Sequence, residues 1–298
     1  MSLGSKVLVA TDLSEPADEA IRQAHERASA EGGELIVCHV VPNLMRNNPL
    51  FPQSNTGDVN GVLESEQRAL KAVELRVVAL TGRALSDFRV VIDNGSPAAG
   101  IVHSADEAHA TLVVVSSSGA TGLDRLLLGS VASRVVRYAH CAVLVARPHE
   151  KTGKILAATD FSDPASAAVT AAVEEARRRH ARLTLLHSLE LLPSPAVGWG
   201  APFGATWVVP PPELVEQVRG SARETLQGML SRLGESGDVL VPEGEPVTAV
   251  LDAARTLPAD LIVLATRGRT GISRMVLGSV AERIIAVAPC SVLAVRHG

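Results

Sequence analysis

Short apolar, β-branched runs alternate along this chain with longer stretches whose apolar residues recur every third or fourth position. The first kind reads as buried strand and the second as amphipathic helix. Residues 6–11 form the first strand, and Asp12 ends it. Ser14-Glu15-Pro16 then has the composition of a helix start, with a capping Ser, an acid for the dipole and Pro in the first turn. That helix runs to about Ala30 and stops at Gly32-Gly33, and a second strand covers residues 34–41. Residues 42–61 are rich in Asn, Pro and Gly and read as a loop. A helix follows over 62–81, with Leu63, Leu70, Val73, Val77 and Leu80 near a 3.6-residue period. Residues 88–92 are a third strand, Gly95-Ser96-Pro97 opens a short helix to about Ala108, and residues 141–146 are a closing strand.

The stretch from Thr111 to Val136, TLVVVSSSGATGLDRLLLGSVASRVV, returns from Leu261 to Ile285 as LIVLATRGRTGISRMVLGSVAERII. Each copy is strand, glycine-containing loop, Gly-Ser and helix. Gly129-Ser130 and Gly278-Ser279 stand where the last helix begins, with Ser in the cap position and Ser279-x-x-Glu282 at capping-box spacing. A helix start leaves N–H groups unpaired and carries partial positive charge, and an adjacent glycine lets an anion approach the backbone. The motif therefore reads as a phosphate cradle, present twice.

The repeat embraces the whole chain. Asp12 and His39 recur 148 residues later as Asp160 and His187; Gly119, Ser130 and Cys141 recur 149 later as Gly268, Ser279 and Cys290. So constant an offset means two homologous domains, residues 1–148 and 152–298, divided in the polar stretch 148–153. The second half places strands near 154–159, 182–188, 239–241, 261–264 and 291–295. Its long loop over 189–212 is apolar and carries Trp199, Phe203 and Trp207, which either pack on their own domain or cover a partner.

Composition narrows the function. At 298 residues with 46% hydrophobic and 20% charged content, each half can bury a core. No apolar run approaches the length of a membrane span, and Asp12 comes too early for a secretory leader. Cys38, Cys141 and Cys290 lack CxxC spacing and read as reduced thiols of a cytoplasmic protein. A net charge of −4 and 2% aromatic content argue against nucleic acid as a partner.

Strands alternating with helices imply parallel sheets covered on both faces, with ligands beyond the carboxyl ends of the strands. Asp12 and Gly119 lie just past strand ends, as do Asp160 and Gly268, so each pair should meet at one crevice.

Each half resembles a universal stress protein domain. The resemblance rests on the Ala-Thr-Asp after the first strand, on Cys38-His39-Val40, and on G-x9-G-S from Gly119 to Gly129-Ser130 and from Gly268 to Gly278-Ser279. It implies an α/β fold of two tandem doubly wound domains of the adenine nucleotide alpha hydrolase-like type. Each would be a five-stranded parallel sheet of order 3-2-1-4-5 with helices on both faces. It also implies ATP or AMP as ligand, with Mg²⁺ or Mn²⁺ entering only alongside the phosphates. Ala10, Thr11, Asp12 and Val40 would then line the adenosine side in domain one, and Val115, Gly119, Gly129, Ser130 and Val131 would hold ribose and phosphates. The matching positions in domain two are Ala158, Thr159, Asp160, Leu264, Gly268, Gly278, Ser279 and Val280. The family's nucleotide-binding pattern, G-x2-G-x9-G-[ST], is broken at its first glycine, which is Ser116 in domain one and Ala265 in domain two. A Cβ there predicts weakened binding. Domain two also has Ser188 where domain one has Val40. Family dimers commonly pair their closing strands, which predicts an intrachain pseudo-dimer here and allows a homodimer of such chains.

Several residues keep two readings. Asp12 and Asp160 contact a nucleotide or merely start the next helix. Arg267 and Arg269 pair with phosphate or are solvated loop residues, and the same holds for Arg125 and Arg274. His39 and His187 read first as core histidines. The chain has no GxxxxGK[ST], GxGxxG or G-x-S-x-G, and no HxGH or SGGxDS, so turnover beyond weak ATP hydrolysis is not expected. Two functions remain: a nucleotide-binding protein of the stress response, or an interaction protein with degenerate, empty sites.

Overall fold

The computed structural model describes residues 3–41, 59–118, 128–190, 194–196, 206–208, 211–268 and 277–296. The first half is β1 (Lys6–Ala10), α1 (Glu15–Ala30), β2 (Glu34–Val41), α2 (Val59–Thr81), β3 (Arg89–Asn94), α3 (Pro97–Glu107), β4 (Leu112–Ser116), α4 (Ser130–Tyr138) and β5 (Ala142–Ala146). The second is β6 (Lys154–Ala158), α5 (Asp163–Arg179), β7 (Arg182–Leu186), β8 (Ser194–Ala196), β9 (Thr206–Val208), α6 (Pro212–Arg232), β10 (Asp238–Leu240), α7 (Pro246–Thr256), β11 (Leu261–Ala265), α8 (Ser279–Val287) and β12 (Ser291–Val295).

Ten strands form one sheet of order β10-β7-β6-β11-β12-β5-β4-β1-β2-β3, which is 3-2-1-4-5 in each half. In this sheet every pairing inside a half is parallel. The halves join through the antiparallel pair β5–β12, with Leu144 opposite Leu293. Those two residues are 149 apart, the repeat offset, so a pseudo-twofold axis passes between them. The expected intrachain pairing of closing strands is what the chain adopts. Alternate strand residues serve opposite faces: Val7 and Val9 belong to the apolar layer that α1, α2, α5 and α6 cover along the whole sheet, and Leu8 and Ala10 to the layer covered by α3, α4, α7 and α8.

The differences from the sequence reading are local. Helix α2 begins at Val59, earlier than the polar composition suggested, and Leu63 is exposed rather than part of the buried face formed by Val73 and Val77. Within the apolar loop, β8 and β9 pair as a two-stranded ribbon with Pro195 opposite Trp207. Trp199 and Phe203 lie outside the described residues, and nothing is described of the Trp207 side chain.

Where the halves meet, the hydroxyl of Ser291 exchanges hydrogen bonds with the Gln23 amide at 3.0 and 3.2 Å. Arg137 reaches Glu282 at 2.6 Å. Deeper, Arg27 of α1 ion-pairs with Glu175 of α5, and the two are 4% and 2% exposed. Glu175 also takes Arg178 at 2.7 Å and Arg179 at 2.8 Å, while Arg27 reaches Glu31 at 3.2 Å. Burial, with Arg178 nearby, brings the Arg27 pKa down to about 10.

Removing one partner of a buried ion pair strands the other charge, whereas removing both replaces a costly desolvation by packing. Glu175→Gln should therefore lower unfolding stability in urea by about 3–5 kcal/mol. Arg27→Met combined with Glu175→Met should recover part of that loss, because Arg178 and Arg179 still lose their carboxylate but are less buried than Arg27, and a double variant no more stable than the single one would contradict this account.

Candidate functional site

The crevice at the carboxyl end of the sheet is built first by a turn. After β6, the Thr159 hydroxyl accepts the Phe161 N–H at 3.1 Å, and Asp160 Oδ1 accepts the Ser162 N–H at 3.0 Å and its hydroxyl at 2.6 Å. After β1, Thr11 accepts from Leu13 at 3.0 Å, and Asp12 Oδ1 accepts both the N–H and the hydroxyl of Ser14. These bonds hold Leu13 and Phe161 at φ 63°, a left-handed conformation that non-glycine residues rarely adopt. They also explain why each strand ends one residue before the threonine. His39 and His187 donate from Nδ1 to the carbonyls of Thr11 and Thr159, both at 2.8 Å, so the histidines buttress the same turn. Phe161 lies against His187 with ring centroids 4.2 Å apart.

The second wall is formed by the residues just after β4 or β11 and just before α4 or α8. Its far end is pinned to its near end: the Gly129 N–H donates to the Ser117 carbonyl at 2.7 Å and the Gly278 N–H to the Thr266 carbonyl at 2.8 Å. Gly129 and Gly278 are the caps of α4 and α8, so Ser130 and Ser279 are first helical residues rather than the caps that the sequence suggested. The capping-box reading of Glu282 also fails, because its carboxylate goes to Arg137 of the other half. Glycine gives no side-chain cap, so the first-turn N–H groups of these helices gain no bond from the cap residue.

In domain two these walls enclose a cavity of about 380 Å³. Ala158, Thr159, Asp160, Leu264, Arg267, Gly268, Gly278, Ser279 and Val280 all line it, so the structure gathers every described domain-two residue that was expected to touch the nucleotide. Ala265 and Ser188 line it as well, the latter donating its hydroxyl to the Gly244 carbonyl at 2.7 Å. Sequence reasoning missed Leu186, Glu190, Pro246, Val250 and Ile284. Two signals could have found them. Leu186, Ser188 and Glu190 alternate along one line of chain, and Gly244-Glu245-Pro246 repeats the helix-opening pattern of Gly95-Ser96-Pro97. Asp160 and Gly268 face each other closely: a Cβ on Gly268 would lie 2.6 Å from Asp160 Oδ2.

Domain one differs. Ala10, Thr11, Val40 and Val115 are buried at the strand ends, and Gly129, Ser130 and Val131 open α4. Ser116, in place of the pattern's first glycine, donates its hydroxyl to the Ser118 carbonyl at 2.7 Å. Gly119 and Arg125, with Arg269 and Arg274 of domain two, lie outside the described residues. A cavity of about 300 Å³ here is lined by Glu15, Asp18, Glu19, Arg22 and Ser118 among others, and by none of the expected site residues. Two of its carboxylates are partnered, Asp18 by Arg76 at 2.6 Å and Glu19 by Arg22 at 3.4 Å.

Thiol chemistry is disfavoured: burial pushes Cys38 and Cys141 up to about 11 and Cys290 to about 12. Among the described residues no cluster of His, Cys, Asp or Glu is arranged to hold a metal, and no helix is long and apolar enough to cross a membrane.

Comparison with known proteins gives a consistent result. The profile of the universal stress protein family matches twice, over residues 5–147 and 151–296. A universal stress protein of Mycolicibacterium smegmatis is 30% identical over 301 aligned residues, covering 97% of this chain and 96% of its own. One from Thermus aquaticus is 38% identical over 142 residues, 48% of this chain but 97% of its own, so it corresponds to a single half. The crystal structure of a universal stress protein from Archaeoglobus fulgidus superposes with a TM-score of 0.67 at 19% identity, covering 99% of this chain and 98% of that one, a likeness of fold.

The approach of Gly268 to Asp160 carries a test. Asp160 cannot swing away cheaply, because its other oxygen holds Ser162. Gly268→Ala should therefore cost about 1–3 kcal/mol in unfolding stability. The same substitution should cost less in an Asp160→Ala background, and equal costs in both backgrounds would show that the two residues do not press on each other.

Proposed function

Because the chain belongs to the universal stress protein family, we propose that its second half binds an adenine nucleotide, ATP or AMP, in the cavity between β6 and β11. The observation that carries this reading is the composition of that one cavity. Its apolar side, with Leu186, Pro246 and Val250, suits a purine base. Its other side offers Gly268, Gly278 and Ser279 at the start of α8, together with Arg267. Backbone N–H groups beside glycine and a guanidinium are the chemistry that phosphate oxygens need. A divalent cation would enter with the phosphates rather than through a protein cage. The role is binding, as a sensor or store of nucleotide in the stress response, with at most weak hydrolysis. Asp160 supports that view, since one of its oxygens is committed to Ser162 and, among the described residues, the other carboxylate on the lining is Glu190 beyond β7.

Domain one is the weaker site on this reading. The hydroxyl of Ser116 occupies its loop start, and Ser118 stands where domain two has Arg267. Two terms decide the ranking. A charge-assisted bond to phosphate contributes roughly 1.5–3 kcal/mol when well made. Ser188 in place of Val40 sacrifices apolar contact with the base, about 1 kcal/mol. Because the Ser188 hydroxyl is already bonded to Gly244, no unpaired group adds to that loss.

Titration calorimetry of the full chain should show a tight ATP event, with a smaller preference for domain two when AMP replaces ATP. Ser279→Asp should remove the tight event by placing a carboxylate in the anion site, and Asp at the first turn of α8 should leave the fold intact. An unchanged tight event in Ser279→Asp would show that the cavity of domain two is not the phosphate site. ATP taken up more tightly at Ser130 than at Ser279 would reverse the ranking.

A further inference from the structure

Helix α8 turns Gly278 and Ser279 towards the cavity of domain two, and its last carbonyls towards the other half of the protein. Arg147, the residue after β5, crosses the join and places Nη2 2.7 Å from the Ile285 carbonyl oxygen and 3.5 Å from that of Ala286. Arg296, the residue after β12, does the same to α4, reaching the carbonyls of Val136, at 3.3 Å, and Arg137. Arg147 and Arg296 are 149 apart, as are Val136 and Ile285, so the exchange is reciprocal about the pseudo-twofold axis. Arg147 is 4% exposed, and burial draws its pKa down to about 10. Among the described residues no carboxylate lies within ion-pairing distance of it. A buried cation needs compensation, and what Arg147 meets is the partially negative carbonyl end of a helix.

Helix α8 has nine residues, so it is only about 13 Å long. A rod so short has no room to flex between its ends, and fixing its last turn fixes where its first N–H groups stand. The guanidinium also adds positive potential along the helix axis, in the sense that favours an anion at the other end. We propose that Arg147 is a positioning residue for the phosphate site of domain two, and Arg296 its counterpart for α4, so that each half's anion-binding helix is held by an arginine of the other half. This rests on the adenine-nucleotide reading above. A purely structural arginine at the join would affect all ligands alike or none, whereas a positioning arginine affects phosphate and spares the nucleoside.

The test uses the full chain, titrated with ATP and separately with adenosine, following the tight event that Ser279→Asp removes. Arg147→Met should weaken ATP about tenfold, the scale of a helix-terminus charge effect, and change adenosine affinity less than about twofold. Arg147→Lys keeps the charge but loses the fork that spans two carbonyls, and should weaken ATP about threefold. That variant decides the matter if Arg147→Met does not fold. Equal losses for ATP and adenosine, or no loss for ATP, would overturn the inference while leaving the nucleotide site standing. A parent chain that binds neither ligand rejects the nucleotide reading, and this inference with it.

Discussion

The way the two halves of this protein meet depends on the antiparallel contact of β5 with β12. Each half is a parallel sheet whose closing strand would otherwise leave a row of N–H and C=O groups open. Setting the two edges against each other satisfies those groups and merges two five-stranded sheets into one of ten. The helices on either face then share continuous apolar layers across the join, seen in core clusters that contain residues of both halves. Gln23 with Ser291, Arg137 with Glu282 and Arg147 with α8 are possible only because this pairing sets the register of one half against the other.

The crevice illustrates a division of labour between backbone and side chain. The Thr-Asp pair after β6 spends its oxygens on shaping the turn, as does the pair after β1. His39 and His187 brace those turns from the neighbouring strand. The glycine of each Gly-Ser closes a loop back on its own strand. Much of what resembles reactive chemistry in these motifs is therefore scaffolding, and the lining left for a ligand is mostly apolar, with Gly268, Gly278 and Ser279 on one side and Asp160, Glu190 and Arg267 as its charged residues.

The architecture was legible because three independent signals agreed: the alternation of strand and helix patterns, the nearly constant repeat offset, and turn chemistry at matching places. The grouping of the residues named for the domain-two candidate site was legible for the same reason, since every described one lines one cavity. Cap assignment was not. Ser is the better side-chain cap, but the chain closes onto Thr266 or Ser117 through the backbone N–H of Gly278 or Gly129, and that long-range backbone bond, which leaves no mark in the local sequence, makes the glycine the cap. The partner of Glu282 could not be read locally either, because Arg137 lies 145 residues away and is brought near only by the join. Glu190 and Val250 went unseen because the sequence motifs pointed to the turns after β6 and β11, and gave the segment after β7 and helix α7 no part in the site beyond Ser188.

Arg27 and Glu175 are 148 residues apart, the offset of the first part of the repeat, so each occupies the other's place in its half. At an axis of this kind a position meets its own copy. Two separate, identical subunits would bring arginine against arginine or glutamate against glutamate there, and a buried like-charge contact is repulsive. A chain that carries both copies escapes that symmetry, because the two positions are encoded separately and can diverge into opposite charges. The pair thus distinguishes left from right in an assembly whose backbone is nearly symmetric, and it gives each half a chemical reason to prefer the other half over a duplicate of itself.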